Sequence, residues 1–170
     1  MKKMLGLVAM GLFAAGILAA QEKGMPPSKP NAGFDRYKTL VGTWEAPSPE
    51  GGVTSSTIRL VSGGTAIEEV FQSKADNQMV TLYTPDGVRL AMTHYCSIGN
   101  QPRMETKAAA TANQSDFDFS YTGGTNIGPN DAHMHHLATH FIDKDHFDEV
   151  WTLSAGGKEQ PFTFHFTRKS

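Results

Sequence analysis

Residues 78–96 read QMVTLYTPDGVRLAMTHYC. Two runs, 78–84 and 88–96, alternate larger apolar with smaller or polar residues around Pro85-Asp86-Gly87. Period two on both sides of a Pro-Asp-Gly turn predicts a β-hairpin. Leu90, Met92, His94 and Cys96 share one face of the second strand. Arg89, Ala91, Thr93 and Tyr95 share the other. The first set is more apolar and is expected inside, with His94 among it.

The same pattern continues in both directions. Upstream stand GTWEA (42–46), VTSSTIRLV (53–61) and TAIEEVFQS (65–73). Downstream stand QPRMETKAAAT (101–111), SDFDFSYTGG (115–124), HFDEVWTLS (146–154) and QPFTFHFTR (160–168). Gly, Pro, Asn and Asp turns separate them, and no crossover helix intervenes, so successive strands should pair antiparallel. With the segment at 133–142 the count is about ten strands. An open meander of that length leaves two unpaired edges, and closure removes them. The expected fold is all-β: a single antiparallel up-and-down β-barrel. Ahead of it, Phe34, Tyr37, Leu40 and Val41 recur at helical spacing before Gly42, which predicts a short N-terminal helix.

The segment HMHHLATHFIDKDHF, 133–147, holds five of the seven histidines. A helix would align Met134, Leu137, Ala138 and Phe141, with His136 and His140 one turn apart. A strand fits its surroundings better. Asp143-Lys144-Asp145 makes a hairpin turn, and 146–154 alternates after it and needs a partner. The zinc-protease spacing H-E-x-x-H is absent.

At the N-terminus Met1-Lys2-Lys3 precedes an apolar run and then Leu18-Ala19-Ala20. That layout reads as a signal peptide over 1–20, and hence an exported protein, periplasmic or secreted, with no stable membrane insertion after cleavage. Residues 21–33 hold three prolines and read as a flexible linker, leaving 34–170 as one barrel domain. The net charge is −2, and −4 once Lys2 and Lys3 leave with the leader, which argues against nucleic acid as a partner. Cys96 is the single cysteine, so no internal disulfide forms; it reads either as a small buried hydrophobe or as a functional thiol.

Gly42-Thr43-Trp44 on the first strand, with Arg168 at the end of the last, resembles the calycins, the lipocalin-like barrels. The resemblance implies that Trp44 closes the barrel base and that Arg168 packs over its ring. LVGTWE (40–45), THYCSIGNQPRM (93–104) and the histidine segment together resemble a group of small secreted bacterial proteins with lipocalin-like barrels. This likeness spans roughly residues 34 to 168 and brings no assigned activity with it. The heme-binding nitrobindin-like barrels are a more distant resemblance, and theirs implies a histidine ligand that maps to no particular position here.

Alternation also assigns the interior. Phe162, Phe164, Phe166 and Arg168 should point inward and His165 outward. Phe147, Glu149, Trp151 and Leu153 form the bulkier face of their strand, as Ile67, Glu69 and Phe71 do of theirs. On the histidine strand the face with Leu137 and Phe141 is expected inside, carrying His135 with His133 on the same face; His136, His140 and His146 then face solvent.

The result is an apolar lumen holding His94, His135, Glu69 and Glu149. Such a set suits a small-molecule site. It equally suits interior groups that satisfy one another. A small apolar or amphipathic ligand in the lumen, bound without catalysis, is the expected role. His94, His135, Glu69, Cys96, Glu149, Gln101 and Arg103 are the candidate contacts, the last two through the junction SIGNQPRM (97–104). The alternatives are a heme or divalent metal on His94, His135 and Glu69, or an enzyme with His94 as general base. Gly-x-Ser-x-Gly, a phosphate loop and a dinucleotide fingerprint are all absent.

Overall fold

The structure is a computed structural model and describes residues 29–49, 51–73, 77–109, 111 and 113–169. The leader and most of the linker read from the sequence lie outside the described residues.

Ten strands follow one helix. They are α1 (Ala32–Lys38), then β1 (Gly42–Pro47), β2 (Val53–Val61), β3 (Ala66–Gln72), β4 (Gln78–Asp86) and β5 (Arg89–Tyr95). After these come β6 (Gln101–Thr106), β7 (Asp116–Thr125), β8 (His133–Phe141), β9 (His146–Ala155) and β10 (Lys158–Arg168). Each strand pairs antiparallel with the next, and β1 pairs with β10, so the sheet closes on itself. The histidine segment is a strand, as its alternation and its partner strand predict.

The hairpin at 78–96 is a two-residue turn between Asp86 and Arg89. Gly87 takes φ +59°, the left-handed conformation that such a turn demands. Counting outward from it fixes Thr81 opposite His94 and Tyr83 opposite Met92.

One barrel end is plugged from the N-terminal side. Asn31 caps α1: its Oδ1 accepts from the Phe34 amide at 2.8 Å, so the helix begins inside the stretch read as linker. The Asn31 amide also donates to the Gly87 and Arg89 carbonyls, which ties α1 to the β4–β5 turn. Phe34, Tyr37 and Leu40 are buried, and the Tyr37 ring meets Phe117, Phe119 and Phe141 edge-on.

Trp44 and Arg168 finish this end. The Trp44 indole N–H donates to the Leu40 carbonyl at 2.7 Å, and its ring packs edge-on against Phe147. The Arg168 guanidinium lies 3.9 Å over the Trp44 ring and donates to the carbonyls of Thr39, Val41 and Lys144. Trp44 and Arg168 together thereby satisfy the three successive carbonyls of Thr39, Leu40 and Val41 beyond the helix. Gly42 passes beneath that guanidinium at φ +145°, and a Cβ there would sit 2.5 Å from Arg168 Nη1. The glycine of Gly-Thr-Trp is therefore required by conformation, and a side chain there would also push the Arg168 guanidinium from its place. The seam itself is short. β1 meets β10 through Trp44–Arg168 and Glu45–Thr167, with one more bond from the Lys169 amide to Thr43.

The outer face of β7–β10 is polar. His136 pairs with Asp118, His140 with Asp116 and His165 with Asp148, while His146 pairs with Asp143 at the β8–β9 turn. These histidines face solvent, where exposed pairs contribute little to stability.

Candidate functional site

Among the described residues the end opposite α1 is open. A cavity of about 230 Å³ lies there, with Ser48, Pro49, Ser73, Asn77, Ser97 and Ile98 of three strand connections among its lining. Its walls are mainly apolar: Phe71, Met79, Met134, Trp151, Phe162 and Phe164, with Cys96 and His94 among them. Pockets of this kind, apolar with few polar groups, are where small molecules bind.

His94 is 2% exposed. Its Nδ1 lies 2.9 Å from Thr81 Oγ1, its opposite neighbour across the β4–β5 hairpin. Its ring rests against Trp151, centroids 4.7 Å apart. Its Nε2 is buried and has no hydrogen-bond partner among the described residues. An orphaned buried group of this kind costs on the order of 1–3 kcal/mol. Burial holds the imidazole neutral by lowering its pKa to about 4.

The two carboxyl groups lie deeper and are engaged by others. Glu69 accepts from the Ser56 hydroxyl at 2.7 Å and the Tyr83 hydroxyl at 2.8 Å. Glu149 accepts from the Trp151 indole N–H at 2.8 Å, so it fixes the ring that walls His94. Burial raises both carboxyl pKa values; the Glu69 charge raises Glu149 further. Neither lines the cavity, and interior polar groups pair with hydroxyls and an indole instead of His94 with Glu69.

His135 does not reach the cavity. Met134 pairs with Leu153 and His136 with Thr152, which leaves His135 as the extra residue of a β-bulge. Met134 takes the cavity-facing place. His135 stacks on Tyr121 with centroids 5.3 Å apart, and its Nδ1 lies 3.3 Å from His133 Nε2. A second irregularity, between Arg103 and Met104 on β6, leaves Thr122 of β7 unpaired.

The SIGNQPRM junction is a turn. The Cys96 amide donates to the Asn100 carbonyl, and the Asn100 side chain donates to the Ala132 carbonyl, tying two loops together. Gln101 donates back to Gly99, and Arg103 is exposed on the outer face; neither lines the cavity. Cys96 does line it, with Sγ 3.9 Å from Met79 Sδ. Thr81 and Met79 were not singled out from the sequence. The two-residue turn, counted outward, carries the signal for Thr81, since it sets that residue against His94.

The fold and site together define a closed ten-strand antiparallel barrel with one plugged end and one apolar, ligand-sized opening. The crystal structure of Rv2717c from M. tuberculosis is similar: TM-score 0.55 at 13% sequence identity, covering 84% of this chain and 100% of that one. At that identity the likeness is one of fold. No family model matches the chain, and no curated protein matches it.

Proposed function

We propose that this is an exported, calycin-type binding protein that holds a small apolar or amphipathic molecule at its open end without transforming it. One observation carries the reading: an apolar cavity of about 230 Å³ lined by His94, whose buried Nε2 has no partner among the described residues. A group with that desolvation penalty gains from a ligand atom. An engineered apolar cavity of about 150 Å³ holds benzene, so this one suits roughly nine or ten heavy atoms.

The other two readings fit less well. With a pKa near 4, His94 is a weak general base at neutral pH. The residues also do not fit a metal or a heme. Both Glu69 oxygens are occupied and His135 lies outside the cavity. No group of three His, Cys, Asp or Glu among the described residues is placed to hold an ion.

The test is native mass spectrometry on untagged protein from its own host, paired with thiol labelling of Cys96. An added organic mass, with Cys96 protected until the ligand is stripped, is the expected result. A bare chain whose Cys96 reacts equally fast before and after stripping would overturn the reading.

A further inference from the structure

We infer that His133 and His135 form a zinc site on β8, with their two imidazoles as protein ligands and water in the remaining positions. The cavity's own residues do not hold an ion; this site lies outside the cavity, and neither reading fails with the other.

The tautomer of His133 is fixed by its neighbour. Its Nδ1 lies 2.8 Å from the Asp131 carbonyl oxygen, which can only accept, so Nδ1 carries a proton. In the neutral ring the lone pair is then on Nε2. One ring nitrogen donating to a backbone carbonyl while the other offers its lone pair is the arrangement that metal-binding histidines use. His135 Nδ1 stands 3.3 Å from that lone pair and donates to it. When the His135 proton moves to Nε2, Nδ1 offers a second lone pair, with no change in the charge of the ring.

The spacing selects the ion. Two zinc–imidazole bonds of about 2.0–2.1 Å at a tetrahedral angle place their nitrogens about 3.3–3.4 Å apart. The two nitrogens already stand at that span, 3.3 Å. An ion sits off the line between them, so each ring tilts to meet it. The square geometry that Cu²⁺ prefers would draw the nitrogens closer together. Position is set by the strands. The β7–β8 ladder ends at Ser120 and His136, and the rings of Tyr121, His135 and His133 meet beyond its end. Tyr121 stacks on His135 at 5.3 Å and lies 4.6 Å from the ring of His133, so both imidazoles are held before any ion arrives. Both histidines are half-buried and reachable from solvent. His136, His140, His146 and His165 each pair with an aspartate instead.

The probe is Zn²⁺ alone, titrated at neutral pH into untagged protein and followed by calorimetry and by ring ¹⁵N spectra. One zinc per chain is expected, with His133 and His135 shifting together. His133→Gln and His135→Gln should each weaken binding by at least about tenfold, the loss that even an outer-shell change costs. His140→Gln should leave it unchanged. No binding, or binding that neither variant weakens, would overturn the inference. So would binding that His140→Gln weakens as much, since that is adventitious capture by surface histidines. The ring spectrum of the metal-free protein needs no variant. A proton on His133 Nδ1 is expected; a lone pair there would overturn the assignment.

Discussion

At the residue scale, His94 shows how one side chain is set by its neighbours. Alternation along 88–96 places it inside, and the hairpin count places Thr81 against its Nδ1. Its folded pKa, about 4, lies below the 6.5 of an unperturbed histidine. Protonation therefore favours the unfolded chain, and stability from this group is complete above about pH 6.5 and lost as the pH falls toward 4. The raised values of Glu69 and Glu149 act with the opposite sign, and both the parent and a His94 variant carry them. Urea melts of the parent and His94→Phe should show the parent losing about 2–3 kcal/mol more between about pH 7.5 and 4.5. Gly42 gives a second prediction. Gly42→Ala meets both the positive φ and Arg168 Nη1, and should lower stability by about 2–4 kcal/mol in the same assay. The packing of Arg168 over Trp44 was legible through resemblance, while the close pass of Gly42 beneath the guanidinium was not. The partner of each interior acid was not, because Ser56, Tyr83 and Trp151 reach Glu69 and Glu149 through side-chain geometry that alternation does not encode.

At the scale of elements, strands and turns were readable because period two and Gly-, Asp- and Asn-rich turns repeat along the whole barrel. The bulge on β8 was not. Nothing in Met134-His135-His136 marks an extra residue, and a shift of one position moves a side chain to the other face. That single step takes His135 out of the interior set and puts Met134 on the cavity wall. Deleting His135 should therefore leave a regular β8–β9 ladder with Met134 still facing in. The expected stability change is within about 1 kcal/mol, and cavity labelling at Cys96 is unchanged. Deleting Thr139, in the regular part of β8, should instead turn the buried faces outward and abolish cooperative unfolding by circular dichroism.

At the scale of the molecule, the two barrel ends are built for different tasks. One is filled by Trp44, Arg168 and α1; the other keeps the space that the aromatic residues on β3, β9 and β10 leave between them. A ligand in that space binds the folded chain alone. At a hundred times its Kd, an apolar ligand of that size should add about 2.7 kcal/mol and raise Tm by several degrees, read from thermal melts with and without it.

The seam between β1 and β10 carries one more consequence. The first strand finds its second neighbour only when β10 exists, so a growing chain cannot close the barrel until that strand has been made. Until then β1 and the newest strand present open edges, which invite pairing with other chains. The plug at the base shares that timing, because Arg168 supplies the donors for Thr39 and Val41. Closure of the sheet and sealing of its base are one event, and the arrival of β10 with Arg168 decides when it happens.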